Sequence, residues 1–115
     1  MMTAPVLSAI GRTGLQLSTE WVNPTIVRIS AAGDIDAANY ADVLDYVLRR
    51  AANCRSLILD LKDVTFFATA GFSMLRTIDT RSSRASVSWM VVPSAAVARV
   101  LGICDPERTL PRGVE

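Results

Sequence analysis

Two short apolar segments, SLILDL at residues 56–61 and SVSWMVV at residues 86–92, lie on either side of a stretch with helical spacing. Nearly continuous apolar runs of this length are typical of strands inside a sheet. Between them, Met74, Leu75 and Ile78 recur at the interval of one helix face. A chain that alternates strands with helices has few ways to bury its apolar faces. This pattern therefore predicts a mixed sheet with helices packed on it.

The rest of the chain extends the same pattern. LQLSTEW (15–21) and TIVRISA (25–31) alternate apolar and polar residues around Asn23-Pro24, which predicts a hairpin. A helical pattern follows Asp36, and another follows Pro93-Ser94. The predicted order is ββαβαβα, a single α/β domain with four to five strands and about three helices. We expect residues 1–14 to be a loose leader, 15–110 the domain and 111–115 a short tail.

Composition removes several classes of function. The net charge is +1 and the one basic segment is RSSRAS, so direct binding of nucleic acid is not expected. No apolar run reaches the ~20 residues that span a bilayer, and the N-terminus does not resemble a signal peptide. We therefore expect a cytoplasmic protein without a membrane partner. The chain has no histidine, which argues against an enzyme, a metal site or a cofactor.

The two cysteines, Cys54 and Cys104, match no zinc-binding spacing. Each lies beside apolar sequence. They are interpreted either as buried thiols or as a redox-responsive pair.

Two segments, AAGDID and FFATAG, each lie where a strand is followed by a helix. If the two strands are neighbours, the two loops meet. In the second loop, the Thr69 hydroxyl is either a helix cap or a phosphoacceptor. In the first, Asp36 is predicted to cap the helix and Asp34 to be solvated; a carboxylate dyad for acid–base chemistry is the alternative.

Three segments resemble the STAS domain, and within it the bacterial anti-sigma factor antagonists. GDID resembles the family's G-[ED]-[LI]-D before the first helix. LILDLKDVTFFATAGFSML resembles its apolar strand followed by F-x-D-S-[ST]-G-[LI]. VVPSAAVARVLGI is similar to its last strand, proline turn and third helix. The three occur in the family's order, and the similarity covers about residues 15–110.

The resemblance implies a protein that binds an anti-sigma factor, in some cases one with a kinase fold, and so releases a sigma factor. It also implies phosphorylation of a hydroxyl that falls on Thr69 and reversal by a phosphatase. We expect a monomer or weak dimer. Ser73 is a second candidate acceptor. The implied partner-binding residues lie in and after the two loops: Asp34, Asp36, Thr69, Gly71, Phe72, Ser73 and Arg76. Phe72 is either an apolar anchor for the partner or a core residue.

The chain departs from the family pattern beside the acceptor. The aspartate before it is Ala68 here, and the second hydroxyl is Ala70. These departures favour an alternative, a STAS interaction module without the phospho-switch. Such a module could be controlled by oxidation of Cys54 and Cys104, act as a constitutive scaffold, or belong to a lipid-transport or stress complex. A nucleotide bound at the helix N-terminus near Gly71 is a third hypothesis, opposed by the missing phosphate-loop lysine.

Overall fold

A computed structural model describes the backbone of residues 6–10 and the backbone and side chains of residues 15–113. Five strands form one sheet in sequence order: β1 (Val6–Ile10), β2 (Leu15–Asn23), β3 (Ile26–Ile35), β4 (Ser56–Phe67) and β5 (Ser88–Pro93). The helices are α1 (Tyr40–Arg50), α2 (Thr69–Arg84) and α3 (Ala95–Cys104). The sheet is mixed, because β1, β2 and β3 pair antiparallel whereas β3, β4 and β5 pair parallel. The predicted α/β class is confirmed, and the elements from β2 to α3 follow the predicted order.

The predicted boundary between the leader and the domain was wrong. The leader expected over residues 1–14 contains a strand, since Val6–Ile10 pairs antiparallel with β2. The remaining leader residues, 1–5 and 11–14, lie outside the described part of the chain. Of the predicted tail, residues 114–115 are also outside it, but Arg112 forms a parallel bridge with Val91 of β5.

Strand alternation directs one side chain in two into a single core. Val27 and Ile29 of β3, Leu59 of β4 and Val91 of β5 are at most 1 % exposed, and they join one cluster with residues from all three helices. Helix α3 contacts β4, α2 contacts β5, and α1 contacts both β3 and α2. The hydroxyls of Thr19 and Tyr46 are both buried and share a hydrogen bond of 2.7 Å between β2 and α1.

Strand β4 also carries a buried charge, the carboxylate of Asp60. Asp60 is 1 % exposed and accepts hydrogen bonds of 2.6 Å from both Arg28 and Lys62. Burial raises the pKa of this carboxyl, but the bonds from Lys62 and Arg28 outweigh it and the pKa is lowered overall. The carboxylate is therefore kept ionised between two cations.

Candidate functional site

The two strand-to-helix loops meet, as the sequence predicts. β3 and β4 are parallel neighbours, with Asp34 beside Phe66 and Ile35 beside Phe67 in the register. The amide of Ala68 donates a 2.9 Å hydrogen bond to the carbonyl of Ile35. We use the name acidic loop for residues 33–36, which contain Asp34 and Asp36. Parallel strands end at the same edge of a sheet, so this bond joins the acidic loop directly to the start of α2.

The acidic loop is organised by Asn39, a residue that sequence analysis did not single out. Asn39 is 3 % exposed. Its side-chain oxygen accepts from the amide of Asp36, and its side-chain nitrogen donates to the carbonyl of Asp34, both at 2.9 Å. In return, the Asp36 carboxylate accepts from the amides of Ala38 and Asn39. The D-x-x-N spacing is the available signal, because it resembles a capping box.

Asp36 caps the turn that precedes α1. The helix proper begins at Tyr40, four residues after Asp36, with Asn39 as the N-cap residue. The amide of Tyr40 nevertheless donates to the carbonyl of Asp36 at 3.0 Å, so the turn leads directly into the helix. Asp34 is half-buried instead of fully solvated, and its carboxylate accepts a 2.9 Å hydrogen bond from the Thr65 hydroxyl.

Thr69 does not cap α2, contrary to one of the two interpretations of its hydroxyl. The helix begins at Thr69 itself, and the N-cap residue is Ala68, which has no polar side chain. Thr69 is exposed. Within residues 15–113, its hydroxyl has no hydrogen-bond partner. The exposed hydroxyl therefore lies beside helix amides that lack a side-chain cap.

The structure separates the predicted site residues into two sets. Gly71 is buried and Phe72 is half-buried against the core. The Arg76 guanidinium lies 5.8 Å from the centre of the Phe72 ring, which favours packing over an anchor role for Phe72. The large exposed apolar side chain at this edge is Phe66, which is 52 % exposed and was not predicted. Its neighbour Phe67 is buried instead, because the two point to opposite faces of the strand.

We use the name carboxyl-edge surface for the side chains that remain exposed or half-buried at this end of the sheet. It comprises Asp34, Asp36, Thr65, Phe66, Thr69, Ser73 and Arg76. It combines carboxylates, hydroxyls, one exposed ring and one guanidinium. Such a mixed polar surface around an aromatic residue is suited to binding another protein.

Comparison with known proteins assigns the family. The model of the STAS domain matches residues 21–110. The chain belongs to the STAS domain family. It is also 32 % identical over 104 residues to Osmosensory protein A of Mycobacterium tuberculosis (strain ATCC 25618 / H37Rv), covering 90 % of this chain and 65 % of that relative. The chain thus spans just under two thirds of the length of this relative.

Solved structures show the same STAS fold. An anti-sigma factor antagonist from Mycobacterium paratuberculosis superposes with a TM-score of 0.70 at 17 % identity, covering 97 % of this chain and 85 % of the other. The antagonist SpoIIAA in its unphosphorylated form gives a TM-score of 0.70 at 14 % identity, with 86 % and 89 % covered. SiaC of Pseudomonas aeruginosa gives 0.60 at 15 % identity, with 98 % of each chain covered.

The cysteines of this STAS domain are free thiols, with Cys54 buried and Cys104 half-buried. Burial raises the pKa of the Cys54 thiol, although a backbone hydrogen bond partly opposes this. A raised pKa keeps the thiol protonated and slow to react with oxidants. Redox control through the pair stays a prediction. No helix in the described part of the chain is both long and apolar enough to cross a membrane.

Restoring an acidic residue at Ala68 should stabilise the fold. Ala68 has the extended backbone of an N-cap, with φ −79° and ψ 166°, and Ser94 before α3 has nearly the same, with φ −81° and ψ 177°. The Ser94 hydroxyl accepts from the amide of Val97 at 3.2 Å, whereas Ala68 offers no acceptor. We expect Ala68→Asp and Ala68→Ser each to raise the free energy of unfolding by about 1 kcal/mol, measured by urea denaturation.

Ser94→Ala is the matched control for this prediction and should lower the free energy of unfolding by a similar amount. If Ala68→Ser stabilises the domain but Ala68→Asp does not, the carboxylates at this edge repel a further charge. If neither stabilises it, the first turn of α2 does not need a cap.

Proposed function

We propose that this STAS domain is an anti-sigma factor antagonist. In this proposal it binds an anti-sigma factor through the carboxyl-edge surface, and phosphorylation of Thr69 weakens the complex. The single observation that carries the proposal is the position of Thr69. Its exposed hydroxyl has no partner within residues 15–113, and it begins a helix joined to the acidic loop by the Ala68–Ile35 hydrogen bond.

The helix N-terminus can accommodate a phosphate at Thr69. The first amides of α2 have no side-chain cap, and the positive end of a helix favours a nearby anion. Phosphorylation adds about −1.5 to −2 charges. The modified fold should therefore remain intact, and the effect of the charge should fall on the partner.

The same charge disfavours an interface at this edge. Phe66 is 52 % exposed and is the natural anchor for a partner. It lies between the Thr65–Asp34 hydrogen bond and the start of α2. A phosphate beside Phe66 would hold water at a surface that must lose its water when a partner binds. The phosphate would also add to the negative charge of the acidic loop. Ser73, one turn further along α2, is the weaker candidate acceptor because it is farther from Phe66.

The relatives support the partner class. Two of the structurally similar proteins are anti-sigma factor antagonists, and one of these was solved in its unphosphorylated form. We propose by analogy that the partner is an anti-sigma factor, in one version with a kinase fold, and that a phosphatase restores the unmodified state. The osmosensory relative makes a rise in osmolarity the first condition to examine.

A charge-mimic experiment tests this function. Wild type, Thr69→Ala and Thr69→Glu are used as baits in lysates of the host organism grown with and without added salt, and the dissociation constant of the captured anti-sigma factor is then measured by calorimetry. We expect Thr69→Ala to bind as wild type and Thr69→Glu to bind at least about tenfold more weakly, equivalent to about 1.4 kcal/mol.

Ser83→Glu is the matched control. Ser83 is exposed on the same helix, fourteen residues from Thr69, which corresponds to about 21 Å along the axis. The control makes the same change in net charge away from the carboxyl-edge surface. If Thr69→Glu binds as tightly as wild type, the protein is a STAS module without the phospho-switch. If no anti-sigma factor binds to wild type, the antagonist function is wrong.

A further inference from the structure

A cavity of about 300 Å³ lies between α3 and the C-terminal segment, and its lining shares no residue with the carboxyl-edge surface. Pro93, Ala98, Leu101 and Gly102 contribute its apolar part. Arg108 and Arg112 also line it. Its volume is at the lower end of the range for ligand sites in proteins. Apolar walls with a few convergent charged groups are the usual composition of such sites.

Gly102 has no structural reason to be glycine. It lies inside α3, where glycine destabilises a helix relative to alanine. A Cβ atom placed on Gly102 would meet no atom within 4 Å. Packing within the described chain therefore does not exclude a larger residue. The effect of the glycine is to keep the cavity open on its helical side.

The two arginines are also irregular. Arg108 has φ 57°, a left-handed conformation that side chains other than glycine rarely adopt. Arg112 donates from Nη2 to the carboxylate of Asp105 at 2.9 Å and to its carbonyl at 3.2 Å. Its Nε is buried without a hydrogen-bond partner in the described part of the chain. Buried donors are normally paired, so an unpaired nitrogen in a guanidinium side chain that lines a cavity is unusual.

Three irregularities occur in residues that line one cavity. They are a helical glycine that packing does not require, a left-handed arginine and an unpaired guanidinium nitrogen. Departures of this kind tend to collect at functional sites. Asp105 compensates one of the two positive charges, so the cavity keeps an excess of one. We propose that it binds a small organic anion, with an acidic group held by Arg108 and Arg112 and an apolar body resting on α3.

The site is tested by NMR with simple probes. Nitrogen-15-labelled protein is titrated with benzoate, phenyl phosphate, inorganic phosphate and the neutral benzyl alcohol. The reporters are the Nε–H signal of Arg112 and the amide signals of Gly102 and Gly113. We expect saturable shifts with benzoate or phenyl phosphate and none with benzyl alcohol. The ratio of the two affinities shows whether a carboxylate or a phosphoryl group is preferred, and inorganic phosphate shows whether the apolar body is needed.

Two variants localise the binding. Gly102→Leu fills the cavity and should abolish the shifts, and Arg108→Gln should weaken binding at least fivefold. Arg84→Gln removes an exposed charge at the C-terminal end of α2 and should leave binding unchanged. A well-dispersed spectrum confirms that each variant is folded; if Gly102→Leu is not, Gly102→Val replaces it. The proposal is overturned if neither organic anion gives a saturable shift, if benzyl alcohol shifts the reporters equally, or if Arg108→Gln binds like wild type.

Discussion

Replacing Gly71 with alanine should destabilise the domain by about 1–3 kcal/mol, a typical cost of overpacking a core. Gly71 is buried in the first turn of α2, and a Cβ atom there would lie 2.4 Å from Cε1 of the Phe67 ring. Phe67 is 4 % exposed, so its ring has little room to move away. Urea denaturation of Gly71→Ala should therefore show a lower midpoint with an unchanged slope.

The chain contains a matched control for this substitution. Gly102 is also helical, but a Cβ atom there meets nothing within 4 Å. Gly102→Ala should stabilise the domain by about 1 kcal/mol through helix propensity alone. The two substitutions are chemically identical and should have opposite signs.

A double-mutant cycle identifies the cause. Phe67→Leu removes the ring atoms nearest to Gly71, so Gly71→Ala should cost less in that background. If the cost is the same with and without the ring, the contact between Gly71 and Phe67 is not the reason for the glycine. Gly71 is therefore expected to shape the carboxyl-edge surface from beneath, instead of contacting a partner itself.

Replacing Asp105 with asparagine should destabilise the domain by about 2–3 kcal/mol near neutral pH, the scale of a lost hydrogen bond to a buried charge. Asp105 is 5 % exposed. Its carboxylate accepts from the amide and hydroxyl of Thr109, from the amide of Leu110 and from Arg112. These bonds attach the segment after α3 to the end of that helix. Without the negative charge, Arg112 loses its charged partner in a largely buried position and keeps only the carbonyl of residue 105.

The same group makes stability depend on pH. Burial raises the pKa of the Asp105 carboxyl, but the hydrogen bonds from Thr109 and Leu110 and the charge of Arg112 prevail and lower it to about 2. An unfolded aspartate has a pKa of about 3.9. The folded state therefore binds fewer protons, and the contribution of Asp105 is complete above pH ~4 and is lost as the pH falls towards ~2.

Thermal unfolding measured from pH 7 down to pH 2 checks this dependence. The deficit of Asp105→Asn relative to wild type should shrink as the pH falls through this window. Asp63→Asn is the control, because Asp63 is exposed and the substitution changes net charge equally. A deficit that stays constant down to pH 2 would show that Asp105 acts through its shape and not through its charge.

Periodicity was sufficient to predict most of the fold. The alternation of TIVRISA and the continuous run SLILDL each report burial directly, and the helix predicted after Pro93-Ser94 was correct. The ends of elements were less predictable. β4 continues past Leu61 to Phe67 through Lys62 and Asp63, where polar residues and shifts of register hide the strand. β1 was missed because VLSAI is too short to show a clear alternation.

The candidate site was predicted only where it follows from topology. Asp34, Asp36 and Thr69 were expected to meet because consecutive parallel strands end at one edge. The contacts of Asn39 and the exposure of Phe66 depend on which face of a loop or strand is turned inward, and the local sequence does not decide this. The cap expected of Thr69 was wrong because α2 begins at Thr69 and not near Gly71.

If Thr69 is the phosphoacceptor proposed above, the Ala68–Ile35 hydrogen bond connects its state to the acidic loop. Because one amide closes the bond between the two loops, neither loop can change shape freely while the bond is intact. We therefore expect the affinity of a partner that contacts the acidic loop to depend on the state of Thr69, and the state of Thr69 to depend on that partner by the same free energy. The exchange rate of the Ala68 amide with solvent deuterium is a local measure of this linkage.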